Sequence, residues 1–157
     1  MKEKVLFSER KLLLIIVIPF IISLVITLPF LLVSLVRNEL NFILFFIFII
    51  FVLMIPLLLF YRFQITVYEK IMVISFGTGL IKKKFLLSDV DKGSFSLKKI
   101  PWYYGVGWRH DFKGNVLFNG SPGIALTFKL KESEKEIMIV TKSRESLKDA
   151  ILNATQN

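Results

Sequence analysis

The chain of 157 residues holds one histidine, His110, flanked by Arg109 and Asp111. A base beside a carboxylate could move a proton. Neighbours on an extended strand point to opposite faces, however, and no Ser, Cys or second carboxylate at a telling spacing completes a catalytic set. The trio reads as a surface or loop-bracing feature, and no enzyme activity is expected. One histidine among scattered Asp residues also lacks the ligand spacing of a metal site. With no cysteine, disulfides, thiolate ligands and Cys nucleophiles are excluded. No metal and no cofactor are expected.

Gly105-Val106-Gly107 has the composition of a phosphate-cradling loop. That chemistry needs a strand, a Gly-rich turn and then a helix N-terminus, and no helix follows here. The stretch therefore reads as a bend or bulge with close backbone approach.

Two further constellations could bind rather than react. Lys82-Lys83-Lys84, with Lys98 and Lys99, could form a basic patch. On a strand Lys82 and Lys84 share one face while Ile81, Lys83 and Phe85 share the other. Such a run either solvates a sheet edge against aggregation or docks the domain on an anionic leaflet. Five rings, Trp102, Tyr103, Tyr104, Trp108 and Phe112, crowd residues 101–115. About three of them are expected in the core, and the others are left between the lipid headgroup layer and a partner protein. The candidate lipid or partner contacts are thus Lys82, Lys84, Lys98, Lys99, Trp102, Tyr103, Trp108 and Arg109.

These residues must be positioned by what precedes them. Residues 12–36 and 42–61 carry no charge, and Arg37 and Glu39 are the only charges between them. Each run can cross a bilayer as a helix, since roughly 20 residues at about 1.5 Å each span a hydrocarbon core of about 30 Å. The 17 Leu, Ile, Phe and Val residues of 42–61 favour insertion by roughly −5 to −10 kcal/mol. Residues 1–11 form a basic N-terminal tail. The apolar run behind it is much longer than the about 7–15 residues of a signal-peptide h-region, so it reads as a retained helix.

Two spans put both ends on one side. Lys2, Lys4, Arg10 and Lys11 before the first span, and Arg62 and Lys70 after the second, outweigh Arg37 in the loop. The positive-inside rule then predicts a multi-pass inner-membrane protein with both termini cytoplasmic. Along the first helix Ser23, Thr27 and Ser34 share one face with Pro19. That stripe either packs against the second helix or a second copy of the chain, or its hydroxyls bond back to their own helix. No ionisable residue lies inside either span, so a transport path is not required.

Residues 62–157 are enough for one modest core. They hold 16 Lys and Arg against 9 Asp and Glu, most of the chain's surplus of +9. A basic domain beside a membrane is drawn to anionic headgroups, by about 1 kcal/mol per cation near the surface. No recognition helix or finger spacing accompanies the charge, so nucleic acid is not expected as a partner. Alternation after Arg62 predicts strands over 64–68, 71–76, 80–86, 90–100, 116–118, 124–130 and 136–141. Leu147, Ala150, Ile151 and Ala154 then fall on one face of a C-terminal helix over 143–154.

Seven antiparallel strands followed by one capping helix resemble a pleckstrin-homology (PH) domain. The chain is similar to small membrane members of the bacterial PH-domain family, in which two N-terminal spans precede one such domain. The residues that carry the resemblance are Tyr104-Gly105-Val106-Gly107-Trp108-Arg109, Gly123-Ile124-Ala125-Leu126, and Ile139-Val140-Thr141 leading to Leu147. The fold class expected is therefore membrane α plus soluble β, a transmembrane hairpin followed by a PH-like seven-stranded antiparallel β-barrel or sandwich capped by a helix. The phosphoinositide site of eukaryotic PH domains lies around a long first hairpin loop. Here that loop is only Glu69-Lys70, so the site does not carry over. The function expected is a non-enzymatic interaction module that binds a protein or peptide at the cytoplasmic membrane face, with help from anionic lipid. Related two-span proteins are linked to resistance against membrane-active peptides, so the alternative is an accessory subunit of a transport or peptide-resistance system.

Overall fold

A computed structural model describes residues 4–110, 114–131 and 133–154. Strand β1 (Val5–Leu12) comes first, then helices α1 (Leu14–Val36) and α2 (Leu40–Phe60). Both helices are long and apolar enough to cross a membrane. Strands β2 (Arg62–Tyr68), β3 (Ile71–Phe76) and β4 (Ile81–Leu86) follow directly. The chain continues through β5 (Ser96–Ile100), β6 (Gly107–His110), β7 (Val116–Asn119), β8 (Gly123–Leu130) and β9 (Ser133–Val140) to helix α3 (Arg144–Ala154). A four-stranded sheet has the order β1-β2-β3-β4, and a five-stranded sheet the order β5-β8-β9-β7-β6.

Three sequence-based expectations are corrected. Residues 1–11 are not merely a tail, because β1 pairs antiparallel with β2 from Val5 opposite Tyr68 to Leu12 opposite Arg62. The β-domain thus begins before the hairpin rather than at Arg62. The strands number nine among the described residues rather than seven, with β1 and β6 as the additions, and of the two expected forms, barrel or sandwich, they form two sheets and no closed barrel. The strands are also not all antiparallel. β9 lies between β7 and β8 and pairs parallel with β7, from Val116 opposite Ile137 to Asn119 opposite Val140.

The helical hairpin is therefore an insertion in a β-hairpin. The ladder continues one residue beyond the strands, where the Leu13 N–H donates to the Tyr61 carbonyl at 2.8 Å. Leu13 itself is buried in the domain core. The turn between β3 and β4 rests on the last turn of α2, with the Thr78 N–H donating to the Leu58 carbonyl at 3.1 Å. Gly77 there has φ +55°, and a Cβ would lie 2.1 Å from the Leu58 carbonyl oxygen. Only glycine permits that approach.

Within the hairpin, Thr27 and Ser34 are the two buried residues of α1. Their hydroxyls donate to the carbonyls of Ser23, at 2.6 Å, and Phe30, at 2.9 Å. The stripe both packs inward and bonds back to its own helix. The rings of Phe30 and Phe46 stack across the two helices at 6.1 Å.

Alternation places Phe63, Ile65 and Val67 of β2 and Met72, Ile74 and Phe76 of β3 in the core. The second sheet contributes Phe118, Leu126, Phe128 and Ile139, and α3 lays Leu147, Ala150, Ile151 and Ala154 against β1, β2 and β8. Burying side chains such as Leu147 and Ile151 contributes about 1.5–3 kcal/mol each, which an isolated 11-residue helix could not supply.

The inward face of β1 carries two charged residues beside one ring. Its partly buried positions are Phe7, Glu9 and Lys11. The Thr141 hydroxyl donates to Glu9. Burial, and secondarily Lys142, hold the Lys11 ammonium below its ordinary value of 10.5, with Glu9 acting in the opposite sense.

Two outcomes follow from this arrangement. Joining Leu13 to Tyr61 through Asn-Gly in place of residues 14–60 keeps the β1–β2 register. It is expected to yield a soluble monomer that unfolds cooperatively by circular dichroism. Residues 62–157 alone leave β2 as a naked apolar edge and are expected to aggregate. A soluble, cooperative 62–157 fragment would show β1 to be dispensable. In the shortened protein, the lowered Lys11 means that the folded state binds its proton less tightly than the unfolded state. Stability is then expected to rise as pH climbs from that lowered value towards 10.5, and Lys11→Met to abolish the rise.

Candidate functional site

β5 and β6 are the opposite edges of the five-stranded sheet, four strand spacings apart, or roughly 19 Å. Residues 101–106 bridge that distance as a strap along the sheet's outer face. The strap starts at Pro101, makes a short 3-10 turn at Trp102–Tyr104, and bends at Gly105, with φ +63°, and Gly107, with φ +124°. Those angles explain the two glycines.

Beneath the strap, Ile100, Leu117, Ala125, Met138 and Val140 form a small buried cluster separate from the main core. They come from β5, β7, β8 and β9, the outward partners of the inward-facing Phe118, Leu126, Ile137 and Ile139. The side-chain amide of Asn119, almost wholly buried, donates to the Gly105 carbonyl and pins the strap down. Its oxygen accepts the Ser121 N–H at 2.8 Å, which fixes the amide's orientation.

Between strap and sheet lies a cavity of about 280 Å³. Ile100, Leu117 and Met138 line its floor, Pro101 and Tyr104 its strap side, and Lys98, Lys99, Arg109 and His110 its rim. Lys98 is paired with Glu136 at 3.0 Å. Lys99 and Arg109 have no carboxylate partner among the described residues. A Cβ on Gly105 would stand 3.0 Å from Arg109 Nη2, so the guanidinium lies against the strap. The cavity thus offers an apolar floor, the Tyr104 ring and two cations with no carboxylate partner among the described residues. That combination suits a segment with both an apolar and an anionic group.

Of the residues singled out from sequence, Lys98, Lys99 and Arg109 meet here. Lys82 and Lys84 do not, because they stand on β4, the outer strand of the other sheet. Both are exposed, as a solvated edge and a leaflet-docking surface each require. The two lysine runs therefore do not make one patch. About three of the five rings were expected in the core; of the four described, only Trp108 packs there, stacked on Phe118 at 5.7 Å. Trp102, Tyr103 and Tyr104 are exposed. Phe112 and Asp111 lie outside the described residues.

The floor and Asn119 were missed in the sequence reading. A signal existed in residues 116–118 and 137–140, which are apolar without alternation, as strands covered on both faces are. A larger depression, of about 460 Å³, lies between Glu69-Lys70, Leu86-Leu87-Ser88 and Ala154. Comparison with protein-family models, with curated proteins and with solved structures finds no match for this chain.

Asn119→Ala leaves the Gly105 carbonyl and the Ser121 N–H unpartnered, at a cost of about 1–3 kcal/mol. Hydrogen exchange in residues 102–106 is expected to speed up while β8 and β9 stay protected. Asn119→Asp keeps the bond from Ser121 but cannot donate to Gly105, so it is expected to loosen the strap equally. Unchanged exchange in both variants would show that the strap is held by something else.

Proposed function

We propose that the protein is a membrane-anchored, non-enzymatic interaction module at the cytoplasmic face, holding an acidic and apolar segment of a partner protein in the strap cleft. The observation that carries this reading is the cleft itself, with Arg109 and Lys99, which have no carboxylate partner among the described residues, beside the floor of Ile100, Leu117 and Met138. At about 280 Å³ it is at or below the small end of ligand pockets. It suits one or two side chains of a peptide better than a cofactor. His110 lies at the rim beside these cations.

The two-sheet core closed by α3 supports a PH-like reading, with a four- and a five-stranded sheet in place of the seven strands expected of a barrel or sandwich. The charge distribution around the hairpin supports the cytoplasmic placement, with Arg10, Lys11, Arg62 and Lys70 on the domain side and Arg37 alone on the other.

A photo-crosslinking amino acid at Tyr104 in the membrane-embedded full chain tests this. One discrete protein adduct is expected, lost on Arg109→Glu and weakened by raised salt. Adducts to lipid alone, or a protein adduct indifferent to Arg109→Glu, would overturn the proposal.

A further inference from the structure

We propose that Trp102, Tyr103 and Leu80 rest in the headgroup layer of the bilayer that the hairpin spans, making the domain's helix-side end a second membrane contact. The inference rests on α1 and α2 spanning that bilayer, and it is independent of what occupies the cleft.

Strand register shows which end of the domain faces the hairpin. In the four-stranded sheet this end holds Leu12, Arg62 and the turn after Phe76, since Leu12 is opposite Arg62, Phe63 is opposite Phe76, and the Thr78 N–H reaches α2. Leu80 sits in that turn. In the five-stranded sheet the corresponding end is the turn between β7 and β8, where a Cβ on Gly120 would lie 2.7 Å from the Phe63 ring. Asn119, next to Gly120, holds Gly105, and the Gly105 N–H donates to the Trp102 carbonyl at 3.1 Å. Ile100, the residue before the strap, pairs with Gly123, where β8 begins after that turn. The strap and Leu80 thus both stand at the level where α2 ends.

Exposure then singles out the same end. Outside α1 and α2, the three most exposed large hydrophobic residues among those described are Trp102 at 79%, Leu80 at 76% and Tyr103 at 68%. Two of them are neighbours in the strap, and the third lies in the turn of the other sheet that meets α2. The rings of Trp102 and Tyr103 meet edge to face at 6.3 Å, forming one amphipathic unit. Cations occur at the same level. Arg62 lies over the Tyr61 ring at 5.5 Å, and Lys82 is opposite Ser75, one residue before Phe76. Aromatic rings flanked by Arg and Lys are the composition of a membrane–water interface. The helix exit, the Leu80 turn and the strap give three points of support, and the direct passage from α2 to β2 leaves no linker to lift the domain away.

The test uses the full chain in vesicles of phosphatidylcholine with phosphatidylglycerol. The two tryptophans are Trp102 and Trp108, so Trp108→Phe leaves Trp102 as the only reporter. Should Trp108→Phe not fold, the difference between the unmodified protein and Trp102→Phe gives the same signal. Trp102 is expected to lose most of its emission to lipids spin-labelled near the headgroup and little to aqueous iodide. Resistance to carbonate extraction separately establishes that the hairpin is inserted. Iodide quenching as strong as that of a free indole, in a protein that resists extraction, would overturn the proposal. Protection from both quenchers would also overturn it, since protein rather than lipid would then cover the ring. Extraction by carbonate would instead remove the spanning hairpin on which the proposal rests.

Discussion

The pairing of Leu12 with Arg62, extended by the bond from the Leu13 N–H to the Tyr61 carbonyl, is the constraint on which the rest depends. It holds the two ends of a 47-residue insertion, residues 14–60, in adjacent strands, only about 4.8 Å apart. Closing a flexible loop of that length costs entropy that grows with the logarithm of its length. Two helices packed on one another remove most of that freedom in advance. Conversely, the sheet fixes where both helices leave the domain. Hairpin and domain are therefore one mechanical unit, with Gly77 letting the β3–β4 turn sit directly on the carbonyls of α2.

That constraint also explains which parts of the fold were legible in the sequence. The apolar helices, the alternation of β2 and β3 and the stripe on α3 are strong local signals, and each of these elements forms. β1 gives no such signal. Its inward positions include Glu9 and Lys11, and it exposes Val5, Leu6 and Leu12, so the usual apolar-in pattern is partly inverted. Its stability comes from residues distant in sequence, the ladder to β2 and the Thr141 hydroxyl on Glu9. β6 is only four residues long and opens with a glycine in the left-handed region, so neither propensity nor length announces it. The parallel pairing of β9 with β7 is a matter of topology, which alternation cannot encode.

The candidate site was legible by residue type and not by arrangement. Lys98, Lys99 and Arg109 could be named from charge, but the lysines on β4 carry the same charge and stand on another sheet. What distinguishes the two sets is the strap, and the strap depends on sheet order. Because β5 and β6 are opposite edges, their connection has to traverse the sheet, and the apolar outer residues of β7, β8 and β9 give it a surface to cover. The expectation of a mostly buried aromatic stretch failed for the same reason. A strap over an already completed sheet has one inner side, and Tyr104 takes it, leaving Trp102 and Tyr103 facing away.

The strap joins the cleft to the end of the domain that bears the helices. Tyr104 lines the cavity while Trp102 and Tyr103, its immediate neighbours, stack outward from the same 3-10 turn. Displacing one set of rings must therefore move the other, with Asn119 as the shared pivot through the Gly105 carbonyl. Any ligand that lifts Tyr104 works against whatever holds Trp102 and Tyr103. If lipid holds them, occupancy of the cleft becomes coupled to contact with the bilayer, with the same coupling free energy in each direction. The short path between the two, three residues of one turn, keeps that coupling from being absorbed by slack in the chain.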